Sequence, residues 1–174
     1  MKYSFFISML CYLVGGCATQ TVPIVESQEH DSAKVRFINK MGRTWIDLYP
    51  ETECNKGVNV IYDNVINNAV RTISEGSPKR VGMLDPQEPT NRNIAEYSFK
   101  PGQLINIGVG GNPRGRCLGG LSFIAAPSMQ YEVVLSEQQS GRCTLAVQVL
   151  STVEDRVQRQ PMRDIRPLVC KRAY

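Results

Sequence analysis

The residue with the clearest chemistry is Cys17, whose thiol closes an apolar run that begins at Tyr3. Lys2 makes the start of the chain positive, and the small residues Gly15 and Gly16 let a peptidase approach the backbone just before the cysteine. A positive start, a short apolar core and small residues before a cleavage site are typical of a secretory signal. The run is shorter than the ~20 apolar residues that a membrane-spanning helix needs. The pattern therefore predicts cleavage before Cys17 and export of the remaining chain.

The stretch Leu13-Val14-Gly15-Gly16-Cys17 resembles the lipobox of bacterial lipoproteins. The resemblance implies that residues 1–16 are removed, that a diacylglyceryl thioether forms on Cys17, and that its amino group receives a further acyl chain such as palmitate. Ala18 stands where an Asp tends to retain such proteins in the inner membrane, so the resemblance implies a lipid anchor in a Gram-negative outer membrane, facing the periplasm. The alternative is an ordinary secretory signal with an incidental cysteine.

Four further cysteines lie in the exported part of the chain: Cys54, Cys117, Cys143 and Cys170. An even set of four in an exported protein predicts two disulfides, for which three pairings are compatible. We favour Cys54 with Cys117, joining two loops, and Cys143 with Cys170, pinning the C-terminal segment to the last strand. The chain has one His, and no two of these cysteines have zinc-knuckle spacing, so the sequence predicts no metal site and no cofactor.

The elements around these cysteines follow an alternating pattern of apolar and polar residues, which is typical of half-buried strands. It predicts strands at 34–38, 44–49, 58–62, 94–99, 104–109, 130–135 and 143–150. We expect the first two strands to form a hairpin through the turn 39–43, and the last two to form another. Trp45, the single tryptophan, lies on the second strand. Its ring is expected to pack in the core or on a sheet face, with a binding platform as the alternative.

Apolar residues at helical spacing predict one short helix between Asp63 and Ser74. With one helix against many strands, the fold class expected is mainly β: a single antiparallel β-sandwich or a partly closed barrel. We expect residues 17–32 to form a flexible tether that includes the solvated His30, and residues 33–174 to form the disulfide-stapled β-domain.

The segment from Phe99 to Val149 resembles small periplasmic lipoproteins of the sandwich type, whose function is unknown. The resemblance rests on the turn Pro101-Gly102, the step from Phe123 to Pro127, the strand Tyr131-Glu132-Val133 and the closing hairpin. It implies the fold and no chemistry.

Two loops are the predicted partner surfaces, and their basic residues are the candidate contacts. Ser77–Asn93 is long for a small domain, which is typical of a functional or pinned loop. Gly110–Arg116 is rich in glycine and arginine and is interpreted either as an anion nest or as a plain strand connector. The candidate partner-binding residues are Lys79, Arg80, Arg114 and Arg116. The basic segment 154–174 is expected to be a solvated tail, with contact to acidic headgroups as the alternative.

Composition and motifs favour a binding protein over an enzyme. The predicted domain has no His, no Gly-x-Ser-x-Gly elbow and no Cys-His pair, so no catalytic residue is assigned. The formal charge is +4, or +3 without residues 1–16, and the charges are scattered, so nucleic acid is not an expected partner. We therefore expect a non-enzymatic, lipid-anchored binding or envelope-assembly protein with a protein partner in the envelope. The alternative is an immunity-type lipoprotein that blocks a toxic effector delivered to the periplasm.

Overall fold

The computed structural model describes residues 27–41, 44–49, 58–62, 80–86, 93–111, 119–138 and 142–168, with the backbone alone for 58–62. These residues form ten strands and no helix. The strands are β1 (Ala33–Asn39), β2 (Thr44–Tyr49), β3 (Val58–Tyr62), β4 (Ile94–Phe99), β5 (Leu104–Gly111), β6 (Gly119–Ile124), β7 (Gln130–Glu137), β8 (Cys143–Val153), β9 (Arg156–Pro161) and β10 (Arg166–Pro167). The predicted helix from Asp63 to Ser74 lies outside the described residues.

The strands form two five-stranded sheets, which pack face to face as a sandwich. Sheet A has the order β4-β1-β7-β8-β9 and sheet B the order β10-β6-β5-β2-β3. Alternate residues of each strand point inward, because successive side chains of a strand lie on opposite faces. Phe37 and Val133 of sheet A meet Ile107 and Phe123 of sheet B in one buried core. The predicted sandwich is confirmed, and the described strands do not close into a barrel, the form to which the alternative, a partly closed barrel, tended.

The predicted hairpin between β1 and β2 is wrong, since β1 lies in sheet A and β2 in sheet B. The connection crosses between the sheets over the buried side chain of Asn39. The Asn39 Oδ1 accepts hydrogen bonds from the Met41 N–H at 2.9 Å and the Thr44 hydroxyl at 3.1 Å, and its Nδ2 donates to the Thr44 carbonyl. These bonds satisfy the polar groups that a crossing connection would otherwise bury without partners.

Strand β1 pairs antiparallel with β4 and parallel with β7, with Phe37 opposite Ala95 on one side and Val133 on the other. The sequence had suggested a purely antiparallel fold. The parallel pairing of β1 with β7 shows that this part of the prediction is wrong. The predicted hairpin of β7 and β8 is confirmed, with Val133 opposite Val147.

The described part of the segment expected to be a solvated tail, residues 154–168, contributes a strand to each sheet. Strand β8 continues to Val153, turns at Glu154 and Asp155, and returns as β9 on the edge of sheet A. The two turn residues have φ of 50° and 60°, the left-handed geometry of a tight two-residue hairpin turn. Strand β10 then pairs with β6 in sheet B.

Residues 27–32 of the predicted tether contact the domain. The N–H of Ser27 donates to the Ser98 carbonyl of β4, and the N–H of Ser128 donates to the Asp31 carbonyl. Ser27 itself is buried, whereas His30 is exposed, as expected. The domain contacts therefore begin at least six residues before Ala33, the predicted boundary.

Residues 80–86, which we call the strap, lie along the outer face of sheet A. Met83 of the strap is buried, although it does not belong to the core between the sheets. The backbone of Leu84 is held twice: its N–H donates to Gln130 at 2.7 Å and its carbonyl accepts from Arg36 at 2.9 Å. The Val81 N–H donates to the Glu96 carboxylate at 2.9 Å.

A group of charged side chains beneath the strap holds it to sheet A. The fully buried Arg36 pairs with Glu96 at 3.0 Å and with Glu132 at 3.2 Å. Arg159 of β9 also pairs with Glu132, at 3.1 Å, and with Asp85 of the strap. We call Arg36, Glu96, Glu132, Arg159 and Asp85 the charge cluster. Because Glu132 bonds both arginines, the cluster joins β4, β1, β7, β9 and the strap into one unit.

Replacing Arg36 by alanine is expected to lower the free energy of unfolding by about 3–5 kcal/mol, because the buried carboxylates of Glu96 and Glu132 lose their shared cation. Urea unfolding of the variant measures the change. The matched control is Arg156→Ala, which removes an exposed arginine and is expected to stay within about 0.5 kcal/mol of the native chain. Equal effects of the two variants would contradict the structural role of the charge cluster.

Candidate functional site

The residues predicted to contact a partner are mostly outside the described part of the chain. Lys79, Arg114 and Arg116 lie there, as does Cys17, so their predicted roles stay predictions. Arg80 is described, and its guanidinium donates to the Ile94 carbonyl at the edge of β4. Through this hydrogen bond, Arg80 holds the start of the strap on sheet A.

Cys143 is the described member of the four predicted disulfide cysteines, and it is disulfide-bonded. It lines a cleft of about 430 Å³ at one end of the sandwich, together with Gly119 of β6 and Pro167 of β10. Along the chain, Cys117 stands two residues before Gly119 and Cys170 three residues after Pro167, and both cysteines lie outside the described residues. The pairing of Cys143 with Cys170, and of Cys54 with Cys117, stays a prediction.

The walls of this cleft come from both sheets. Val109 and Leu121 face it from sheet B, Leu145 faces it from sheet A, and Ile165 and Arg166 close its side. Val109, which directly precedes the predicted partner loop Gly110–Arg116, and Gly119, the first described residue after that loop, both line the cleft.

Two aromatic side chains on the outer face of sheet B form the most distinctive surface of the described residues. Trp45, Asp47 and Tyr49 alternate along β2 with the buried residues Thr44, Ile46 and Leu48, so all three point outward. Each of the three outward residues is half-buried. The structure places the Trp45 ring on a sheet face, which is one of the two packing environments expected for it.

Glycines on the neighbouring strand let both rings lie against the sheet. Gly110 of β5 stands opposite Trp45, and Gly108 stands opposite Asp47, two residues along β5 from Asn106, the partner of Tyr49. A Cβ on Gly110 would lie 2.6 Å from the Trp45 Cζ2, and a Cβ on Gly108 would overlap the Tyr49 ring. The two rings therefore occupy the space that side chains at Gly108 and Gly110 would need. We call Trp45, Asp47, Tyr49, Gly108 and Gly110 the aromatic face.

The carboxylate of Asp47 lies between the two rings and accepts hydrogen bonds from both side chains. The Tyr49 hydroxyl donates to the Asp47 Oδ2 at 3.5 Å, and the Trp45 side chain is its other donor. Burial raises the pKa of Asp47, and the two hydrogen bonds oppose that rise. Burial also raises the pKa of Tyr49, with the charge of Asp47 adding to the effect. Neutral donors therefore only partly replace the water that an exposed carboxylate would have.

Polar residues continue this surface toward β6. Asn106 stands opposite Tyr49 and Ser122, and the Ser122 hydroxyl donates to the Asn106 Oδ1 at 2.5 Å. Both residues are buried. Among the described residues, the Asn106 Nδ2 has no hydrogen-bond partner. The outer face of sheet B thus carries two half-buried rings and a half-buried carboxylate on β2, followed toward β6 by two buried polar side chains.

The sequence could have indicated this surface only in part. The alternation of β2 placed Trp45, Asp47 and Tyr49 on one side of a strand. The pairing of β2 with β5 is what sets Gly108 and Gly110 beneath the rings, and no local signal in the sequence specifies that pairing.

Comparisons of the chain with protein-family models, with curated proteins and with solved structures found no match. Within the described residues, no helix is long and apolar enough to cross a membrane. No group of three or more His, Cys, Asp or Glu among those residues is arranged to hold a metal ion.

Asp47→Asn is expected to raise the midpoint of thermal unfolding at pH 7, because the native chain holds a half-buried ionised carboxylate there. A raised pKa means that the folded chain binds the proton more tightly than the unfolded chain. The native chain therefore loses stability, relative to Asp47→Asn, as the pH rises from 3.8 through the raised pKa of Asp47. Thermal unfolding of both chains at a series of pH values measures the difference. A difference that does not change with pH would contradict the assignment.

Proposed function

We propose that this chain is a non-enzymatic, lipid-anchored protein of the bacterial envelope that binds a protein partner through the aromatic face. The observation that carries the proposal is the pair of half-buried rings on the outer face of sheet B, with the Asp47 carboxylate between them. Trp and Tyr are the residue types most enriched among the side chains that dominate binding energy at protein interfaces. Here each ring lies in the space that a Cβ on a β5 glycine would need, so its packing against β5 supports a preorganised contact.

The charge cluster supports a structural role for the outer face of sheet A. Arg36 and Arg159 are bonded to carboxylates of sheet A and to the strap, and Glu96 and Glu132 are each bonded to arginine. These groups join strands and cover sheet A, so their geometry is accounted for without a catalytic step. The two outer faces thus support different roles: the outer face of sheet A is covered by the strap, and the outer face of sheet B is the proposed binding surface.

The lipid anchor at Cys17 sets where this binding takes place. Ser27 contacts β4, so the anchored cysteine lies ten positions along the chain from the first described contact of the domain. Ten extended residues span at most about 35 Å. The proposed binding domain therefore stays within a few nanometres of the membrane that holds the acyl chains, and its partner is a component found at that distance.

Cys17→Ser is expected to abolish lipid attachment and to release the chain from the membrane fraction, because two or three acyl chains provide the anchoring energy. Metabolic labelling with radioactive palmitate and fractionation of the envelope measure both effects. Cys11→Ser, in the predicted signal, is the matched control and should leave labelling unchanged. Full labelling of the Cys17→Ser chain would contradict the anchor.

A photo-reactive benzoylphenylalanine in place of Tyr49 is expected to crosslink the chain to a discrete protein in living cells, because this side chain lies in the proposed contact. The control position is Val153, which is 44% exposed near the turn between β8 and β9, away from the aromatic face. Immunoblotting and mass spectrometry identify the adducts. A discrete adduct from position 49 and none from position 153 is the expected result.

The identity of the adduct decides between the two kinds of binding protein. An envelope component supports the assembly role, and a single delivered toxin supports the immunity role. Adducts from position 153 alone would contradict the aromatic face as the binding surface.

A further inference from the structure

The end of β6 and the connection to β7, residues 124–129, form an exposed surface without charge. Ile124 is 53% exposed and Met129 is 36% exposed, and Pro127 between them is exposed as well. The sequence has no Asp, Glu, Lys or Arg between Arg116 and Glu132. We call residues 124–129 the apolar loop. Contiguous apolar groups exposed in this way mark contacts with another molecule or with a membrane.

The backbone of the apolar loop makes its hydrogen bonds within the protein. Each N–H group of residues 125–129 donates to a protein acceptor at 2.8–3.3 Å, except at Pro127, which has no N–H. The acceptors are the carbonyls of Gln103, Asp31 and Ala126 and the hydroxyl of Tyr131. Backbone groups that are bonded in this way do not need water, which is the condition for a chain segment to enter lipid.

The apolar loop lies at the end of the sandwich where the chain from Cys17 enters. The Ser128 N–H donates to the Asp31 carbonyl at 2.8 Å, and the Met129 carbonyl accepts from the Lys34 N–H at 2.9 Å. Asp31 stands just before β1, and Lys34 lies within it. The segment that leads back to the proposed anchor therefore also holds the apolar loop in position.

We propose that the apolar loop inserts into the surface of the membrane that holds the acyl chains on Cys17. This inference rests on the proposed function, since it requires the lipid anchor, and it adds a second contact with the same bilayer. An anchor alone leaves the domain free to turn on its tether, whereas a loop in the membrane fixes which end faces the lipid. The aromatic face lies on the side of the sandwich and not on this end, so the lipid contact and the partner contact are compatible.

The chemistry of the apolar loop favours lipid over a second protein surface. Protein interfaces combine apolar contacts with about one hydrogen bond per 100–200 Å². The apolar loop has no charged side chain, and its N–H groups are already bonded, so it has few groups to offer for such bonds. The acyl region of a bilayer makes no hydrogen bonds and needs none from the protein.

The charges around the apolar loop indicate that apolar contact, and not attraction to anionic headgroups, drives the insertion. The exposed charged residues of the described chain near this end are Glu29, Asp31, Lys100, Glu154, Asp155 and Arg156. Acidic residues outnumber basic ones in this set, so it offers no excess positive charge to anionic lipid. Val153, the third large apolar side chain exposed in the described chain, stands beside two of these carboxylates, which favour water over lipid.

A photo-reactive benzoylphenylalanine in place of Met129 tests the lipid contact in the full lipidated chain, inserted through its anchor into phosphatidylcholine vesicles. We expect illumination to produce a covalent phosphatidylcholine adduct, which mass spectrometry detects. The control position is Gln138, which is exposed at the far end of β7 and is expected to give no lipid adduct. The yield from position 129 is expected to be the same in vesicles of equal parts phosphatidylcholine and phosphatidylglycerol.

Ile124→Asp is expected to lower the yield of the lipid adduct from position 129 at least about threefold, because a carboxylate at position 124 resists transfer from water to lipid. Ile124→Leu keeps an apolar side chain and is expected to keep the yield. The Ile124 side chain is exposed, so both variants are expected to fold, and thermal unfolding checks this.

No lipid adduct from position 129, equal lipid adducts from positions 129 and 138, or an unchanged yield with Ile124→Asp overturns the insertion of the apolar loop. An adduct that forms only with phosphatidylglycerol overturns it in favour of charge attraction. A discrete protein adduct from position 129 in living cells, in place of the lipid adduct, overturns it in favour of a protein contact.

Two measurements separate these failures from a failure of the proposed function. If Cys17 carries palmitate and position 49 crosslinks to a protein, the proposed function stands and only the insertion of the apolar loop is wrong. If position 49 fails while position 129 gives the lipid adduct, the insertion stands and the partner surface is wrong. A Cys17 without acyl chains makes both proposals wrong.

Discussion

The burial of one guanidinium, that of Arg36, determines how sheet A is completed. Arg36 lies on β1, which stands between two other strands, and its outward side chain has no exposure to water. A buried charge persists only where partners replace its water, and here Glu96, Glu132 and the Leu84 carbonyl do so. Those partners require the strap to cover the sheet, because Leu84 belongs to it. The outer surface of sheet A is consequently committed to internal contacts along β4, β1 and β7.

The outer face of sheet B differs from that of sheet A, because its strand β5 carries glycines where β1 of sheet A carries a charged residue. Gly108 and Gly110 leave β5 without side chains beneath β2, so Trp45 and Tyr49 lie against the backbone and not against a covering segment of the described chain. Asp47 is held between them with a raised pKa, which is a stability disadvantage at neutral pH. A protein keeps a residue of this kind where function outweighs the stability that a neutral side chain would add. The contrast between the two outer faces is the reason that we propose binding at sheet B.

The sequence predicted the strands in which apolar and polar residues alternate, and it did not predict the strands that lack this alternation. Strands β4 and β7 follow the expected pattern closely, because one side of each meets the core. Strand β9 is an edge strand with mostly exposed polar residues, and its turn uses Glu154 and Asp155 where Gly or Asn would have been a signal, so no pattern indicated it. The separation of β1 and β2 into different sheets depends on side-chain bonds of Asn39, which look like an ordinary turn in the sequence. For the site, the sequence showed which residue types lie on β2. It did not show that the β5 glycines pack against the two rings, or that Arg80 holds the strap, because both features depend on contacts between distant parts of the chain.

The central claim is that the outer face of sheet B, at β2 and β5, is where this protein meets its partner. Hydrogen–deuterium exchange of the full chain, alone and in complex with the protein captured at position 49, tests it most directly. The account predicts slower exchange in Thr44–Tyr49 and Leu104–Gly111 in the complex, with the strap unchanged. Slower exchange confined to the strap or to the turn between β8 and β9 would contradict it.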